Sequence, residues 1–393
     1  MPNRFQIIEP LDPVATAPGT DTSPLDPVAT AQGTDTSAAS PKAASALSSA
    51  AALQIGNARF QNALARIPQR TPPIWLMRQA GRYHKHYQAL RAKYSFVDLC
   101  KKPELAAEVA LGPVMDFGFD AAILFSDLLF PLEALGMGLE YTDRGPQLGW
   151  QLNKQTISQM RSVEDAWPHL LFQGEAMRAT RERIPSDRSV IGFVGGPWTL
   201  FVYAVEGTHK GSLVNSKRLL PLFPRFCESI VPLLKRSIAS QLDNGAEVVM
   251  IFDTAAGELS PGIFHSEVLP QLQRVTSVNA ERIGYYSKGT QPAHLRDPFF
   301  ASGSLAGIGV DHAWDIREAF DVSAHGFVQG NFDQALLQAD SADLRKHLDR
   351  YLEPLKDREW PGWICGLGHG VLPGTPEDNV RLFVDTVRET FQT

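Results

Sequence analysis

Eight short apolar runs recur along the chain, each bounded by turn signals and separated from the next by longer stretches with helical spacing. They are Ile74–Met77, Ala122–Phe125, Val190–Val194, Val248–Phe252, Ile283–Tyr286, Gly307–Val310, Phe327–Gly330 and Trp363–Gly366. Runs of this length, rich in branched residues and apolar at consecutive positions, suit parallel strands covered on both faces. Eight of them, each followed by helical sequence, predict an α/β (β/α)8 barrel of the TIM type in a single domain; a doubly wound open sheet is the competing arrangement. The clearest helix is the last. Thr375 is its expected N-cap, Pro376 falls in its first turn and Asp378 completes a box-like start. Val380, Phe383, Val384, Val387 and Phe391 then form one apolar stripe.

The rhythm does not extend to the beginning of the chain. Leu11 to Ser23 reads LDPVATAPGTDTS, and Leu25 to Ser37 reads LDPVATAQGTDTS, a near-perfect repeat without an aromatic residue. Such a segment has too little apolar surface to offset its ordering entropy, so residues 1–55 are expected to be a disordered, low-complexity extension and 56–393 the barrel domain. Asp12, Asp21, Asp26 and Asp35 outnumber the basic Arg4 and Lys42, unlike a transit peptide, and there is no compact apolar region of the kind a signal peptide needs.

Several function classes are disfavoured by charge and composition. A net charge of −6 argues against general nucleic-acid binding. No apolar run approaches the ~20 residues of a membrane span. Three scattered cysteines, Cys100, Cys227 and Cys365, do not make a disulfide framework and fit a reducing cytoplasm. An anionic ligand would therefore need a local cationic cluster. One exists between Arg78 and Lys102, where seven Lys or Arg face the single acid Asp98.

In a barrel the chemistry sits where strands finish. The run at Ile74 leads to Arg78, Gln79 and Arg82, and that at Ala122 to Ser126 and Asp127. The others deliver Gly195 to Trp198, Asp253 and Thr254, Ser287 and Lys288, Asp311 and His312, Asn331, and His369. Arg78 and Arg82, four apart, would share a face if the chain is helical there, and paired guanidiniums bind carboxylates well; a solvated basic helix fits the spacing equally. Asp127 reads either as a helix cap or as a carboxylate facing a cation that develops on a substrate. His369 lies in the glycine-rich GLGHGVLPG. Its glycine spacing matches neither the dinucleotide fingerprint nor a P-loop, and the Cys365–His369 pair lacks partners at zinc spacing, so no nucleotide or metal site is expected. No G-x-S-x-G nucleophile elbow is present.

PIWLMRQAGR (Pro73–Arg82) and GFVGGPWTLFVYAVEG (Gly192–Gly207) resemble the two signature motifs of the uroporphyrinogen decarboxylase family. The resemblance continues through DAAILFSDLLFPLEALGM (Asp120–Met137), IFDTAAGELSP (Ile251–Pro261), GIGVDHAWD (Gly307–Asp315), VQGNFDQ (Val328–Gln334) and GLGHGVLPGTPEDNV (Gly366–Val380), in the family's order. It implies a (β/α)8 barrel, a homodimer without metal or organic cofactor, and conversion of the four acetate arms of uroporphyrinogen III to methyl groups, giving coproporphyrinogen III. By the same resemblance Asp127 is the essential aspartate, Arg78 and Tyr203 are further catalytic residues, and these three bind substrate together with Arg82, Thr254 and His369. Asp127 would stabilise a protonated pyrrole, with Tyr203 and Thr254 hydrogen-bonding it or the substrate. Where many family members carry an aromatic residue or histidine this chain has Ala255, a change expected to alter pocket shape. Two other readings belong to the same barrel: a corrinoid-linked zinc methyltransferase, whose H-x-C pair would fall near Tyr286 and Lys288, and a non-catalytic tetrapyrrole carrier, which would lack Asp127 or an arginine.

Overall fold

The computed structural model describes residues 56–142, 145–209 and 211–392; the repeat-bearing extension lies outside them. Seven of the eight apolar runs are strands of one parallel sheet: β1 (Ala121–Ile123), β4 (Ser189–Gly195), β5 (Val248–Asp253), β6 (Ile283–Ser287), β7 (Gly307–Gly309), β8 (Phe327–Phe332) and β9 (Trp363–Leu367). The short pair β2 (Glu140–Thr142) and β3 (Gly145–Gln147) forms a separate antiparallel hairpin that the run pattern does not announce. Strands join the main sheet in chain order, β1-β4-β5-β6-β7-β8-β9, with no reversal. A doubly wound sheet reverses its order at a switch point, so that competitor is excluded.

The first run differs from expectation. Ile74 makes a single parallel bridge to Cys365 of β9 rather than a strand. The Pro73 carbonyl accepts the Cys365 N–H at 2.9 Å, and the Ile74 carbonyl accepts the Asp120 N–H at 2.9 Å. One residue thus spans the two edge strands where the eighth strand of a barrel would lie. The prolines at 72 and 73 account for the brevity, since they remove donors a longer ladder needs.

Every residue of β4, β5, β6, β8 and β9 is buried, as strands covered by helices outside and by side chains inside require. The helix Phe223–Asp243 shows the outer layer: Phe226, Ile230, Leu233, Leu234 and Ile238 form its buried stripe. At its far end Gln241 is also buried, but its amide accepts from Phe193 N at 2.8 Å and donates to Phe193 O at 3.0 Å, so burial leaves it satisfied. The last helix runs Glu377–Phe391 with the expected buried stripe, but its N-cap is Pro376 and not Thr375. The Thr375 hydroxyl is buried and caps nothing.

Candidate active site

A cavity opens beyond the C-terminal ends of the strands, where a barrel places its chemistry. About 930 Å³ of space, its open mouth included, is lined by Arg78, Asp127, Tyr203, Thr254 and His369 together with an apolar wall that includes Ile123, Leu124, Phe125, Phe193 and Phe252. Five of the six expected site residues therefore meet in one place. Arg82 does not line it, although it is near enough to Arg78 to oppose that residue's charge. The reason is local: residues 78–84 form turns, not a helix, and Arg78 itself has φ +59°. The two guanidiniums do not share a helix face. Two further members of the basic cluster are ion-paired, Lys101 with Glu133 and Lys102 with Asp98.

A left-handed backbone at a residue other than glycine is unfavourable and persists where the surroundings demand it. Here it turns the Arg78 side chain against the glycine-rich loop, where a Cβ on Gly370 would stand only 2.7 Å from Arg78 Cγ. The loop is pinned to the same segment by the Val371 N–H donating to Met77 O at 2.9 Å. The glycines of GLGHGVLPG thus permit close packing on an arginine. Burial lowers the pKa of Arg78, an effect opposed by nearby Tyr203, Tyr286 and Asp127; a guanidinium remains charged regardless.

Asp127 lies on the cavity wall and is tied to the backbone beside it, although the N-cap of the helix that follows is Leu129. Its Oδ1 accepts the Leu129 N–H at 2.8 Å in the turn that leads to the short helix Phe130–Leu132. Surrounding protein strips it of water and pushes its pKa up to about 6, a rise limited by the Leu129 bond, by Tyr141 and by Arg78. His369 is displaced in the opposite sense. Burial, then the nearby Arg78, Lys288, His209 and His312, keep its imidazole well below the usual range and hence neutral. It stacks on Tyr286 with ring centroids 6.1 Å apart and planes inclined by 11°. The Tyr286 hydroxyl donates to Gly368 O at 2.8 Å and also meets His369 Nδ1 at 3.1 Å.

Two expected contacts take another form. The Tyr203 hydroxyl bonds Nδ1 of His209 rather than Asp127. Thr254 lines the cavity, but Ala255 does not: its backbone N–H donates to Thr199 Oγ1 at 3.0 Å and its carbonyl accepts from Trp198 Nε1 at 3.1 Å. The residue at 255 shapes the support behind the site and not the pocket wall.

Much of the remaining polar crop at the strand ends is structural. Asp253 is fully buried and accepts from Thr199 N and from the Tyr285 hydroxyl, each at 3.1 Å. Asp311 accepts from Gly289 N at 2.6 Å, and Asn331 Nδ2 donates to Asp311 O at 2.8 Å and Trp314 O at 2.9 Å. Conversely His209, Tyr286, Tyr141 and cavity-lining Pro146 were not nominated from sequence. Tyr286 ends an apolar run and was detectable as a polar-tipped aromatic at a strand end; His209 and Tyr141 lie outside the runs and carry no such signal. Tyr286 and Lys288 occupy the positions where a zinc-binding pair would fall, and among the described residues no three His, Cys, Asp or Glu side chains gather to hold a metal.

The model of the family described as uroporphyrinogen decarboxylase (URO-D) matches residues 56–390. A uroporphyrinogen decarboxylase of Myxococcus xanthus (strain DK1622) is 37% identical over 343 residues, covering 84% of this chain and 96% of its own. That of Pelobacter propionicus (strain DSM 2379 / NBRC 103807 / OttBd1) is 35% identical over 342 residues, with 84% and 98% covered. Among solved structures, a methyltransferase from Methanosarcina mazei superposes with a TM-score of 0.66 over 86% of this chain and 98% of its own, at 20% identity. That last likeness establishes a shared fold.

Proposed function

The chain belongs to the uroporphyrinogen decarboxylase family, and from that premise we propose that it removes the four acetate carboxyl groups of uroporphyrinogen III to give coproporphyrinogen III. The observation that carries this reading is the meeting of one carboxylate, Asp127, with Arg78 in a cavity whose walls are otherwise largely apolar.

Loss of CO2 from an acetate arm leaves an electron pair that needs a sink. A pyrrole supplies one when a proton adds at a ring carbon and makes an iminium-like cation conjugated with the arm. The bond to the carboxylate then breaks, its electrons neutralise the ring, and an exocyclic methylene remains. A proton added to that methylene makes the methyl group, and loss of the ring proton restores the pyrrole. The net change is replacement of CO2 by one proton. The sequence calls on no metal or organic cofactor.

A carboxylate acts on this path through the charge that develops. Asp127, held away from water, interacts more strongly with the cationic ring than with the neutral one and so favours the transition state. Its pKa of about 6 keeps it mostly ionised at neutral pH. Arg78 holds the carboxylate arms, with Arg82 contributing field from outside the cavity wall. Thr254 offers a hydroxyl to the substrate, as does Tyr203, whose hydroxyl meets Nδ1 of His209. His369, kept neutral by burial, gains a proton when a substrate carboxylate arrives beside it and offsets the neighbouring positive charges. The apolar wall receives the pyrrole rings and excludes water. Residues 1–55 are a dispensable extension to the barrel domain 56–393, and a homodimer in the cytoplasm completes the proposal.

Anaerobic incubation of the full chain with uroporphyrinogen III tests the reading. Stepwise loss of four carboxyl groups, with no added metal or cofactor and undiminished by chelators, is the expected result. Binding of the porphyrinogen without CO2 release would make the chain a carrier instead.

A further inference from the structure

Near Asp127 the hairpin contributes a tyrosine that the reaction above does not use. Tyr141 of β2 stands directly across from cavity-lining Pro146 of β3, so the two residues share a face of the hairpin. Its ring packs on Phe96, with centroids 4.6 Å apart, and on Phe130 at 6.4 Å. The hydroxyl at the end of that ring is buried and makes no bond of good geometry, although it lies close enough to Asp127 for a side-chain hydrogen bond that bears on the charge of both groups. Burying a phenol O–H unpaired is unfavourable, and a group so placed in a native fold calls for an explanation.

Three groups lie near enough to Tyr141 to affect its charge: Asp127, Cys100 and Glu133. Glu133 is already engaged by Lys101, whose Nζ donates to its two oxygens at 2.9 and 2.8 Å. Cys100 is a fully buried thiol and a weak acceptor. Asp127 is different. It takes the Leu129 N–H on Oδ1, and an ionised carboxylate has room for further donors. A buried donor and an acceptor with spare capacity therefore adjoin, within reach of a side-chain hydrogen bond.

We propose that Tyr141 is a positioning residue for the decarboxylation, its hydroxyl donating to Asp127 and holding that carboxylate ionised and oriented toward the pyrrole. The assignment rests on the function proposed above. A bond from a neutral phenol favours the charged form of the acid, against the burial that raises it. The groups whose charges bear on Asp127 are Arg78, Glu133, Cys100, Tyr203 and Tyr141 itself. Tyr141 can be changed without altering charge at neutral pH or any residue assigned to hold the substrate.

The test is the pH profile of kcat/KM for the full chain and for Tyr141→Phe, which keeps the ring among Phe96 and Phe130. The acidic limb is expected to move up by about one pH unit, giving roughly a tenfold deficit on the acidic side that narrows toward alkaline pH. In the Asp127→Asn background the same change should have no further effect on substrate binding or residual rate. A uniform fall at every pH, an unmoved limb, or an equal effect in the Asp127→Asn background would each overturn the assignment. Should Phe unsettle the hairpin in a thermal melt, 3-fluorotyrosine placed at position 141 alone supplies the opposite perturbation: a more acidic phenol is a stronger donor and moves the limb down. An inactive parent chain would refute the functional reading, whereas an active parent indifferent at position 141 refutes only this one.

Discussion

Two aspartates flank β1, and the fold treats them in opposite ways. Asp120, at the entry to the strand, is 2% exposed and fully matched: Oδ2 accepts the Ile74 N–H at 2.8 Å, and Oδ1 accepts from Asn57 Nδ2 at 3.1 Å and Arg59 Nη1 at 3.2 Å. Arg388 of the last helix adds a contact at 3.4 Å. One carboxylate thus joins the first helix, the Ile74 bridge that spans the edge strands, and the last helix. Asp127, beyond the other end, is half-buried on the cavity wall with one backbone donor and with Tyr141 and Arg78 nearby, and loss of solvent makes its proton harder to remove. The difference shows how a barrel divides its labour: charge satisfied at the bottom face closes the structure, and charge left short of partners at the top face is available to a ligand.

The sharpest way to break this comparison is to exchange its consequences. Asp127→Asn is expected to lower kcat by about 10²–10³-fold, the scale of losing one preorganised electrostatic group, with substrate Kd largely kept. Single-turnover kinetics with binding measured separately would check it, and turnover within a few-fold of the parent would contradict the role. Asp120→Ala should do the reverse. It strands the Ile74 N–H, Asn57 and two arginines, and the expected loss is about 3 kcal/mol of stability in denaturant unfolding, with kcat per folded molecule unchanged.

A pH series sharpens the contrast without touching the bottom face. Because the folded chain keeps the Asp127 proton up to about pH 6 while the ordinary carboxyl value is 3.8, the folded state binds more protons between those values. Stability from this group therefore falls as pH rises through that window. Asp127→Asn should melt above the parent at pH 7–8, and the advantage should fade below about pH 4. An advantage that grows on acidification would reverse the assignment of the shift. The smallest expected effect belongs to Arg59→Ala. Arg59 is 39% exposed, and its pair with Asp120 is backed by three other donors. A loss under about 1 kcal/mol is expected, readable as a small shift in denaturant midpoint.

What the sequence by itself determined was the seven strands of the main sheet, their parallel order and four of the residues that meet at their ends, Arg78, Asp127, Thr254 and His369. That information is local: burial on both faces leaves continuous apolar runs, and the first polar residue after each run must emerge at one rim. The resemblance to a family added Tyr203, which no run announces. Tertiary structure decided which polar groups at that rim remain available. Asp253, Asp311 and Asn331 look as promising as Asp127 in sequence, yet their partners Thr199, Gly289 and Trp314 come from other segments and tie them down. The same holds for Arg82, excluded from the cavity wall by a left-handed turn at Arg78, and for His369, whose neutral state depends on burial and on Arg78 and Lys288 from other segments. A side chain's type is written at its own position; its solvation depends on residues brought beside it by folding, and solvation sets its chemistry.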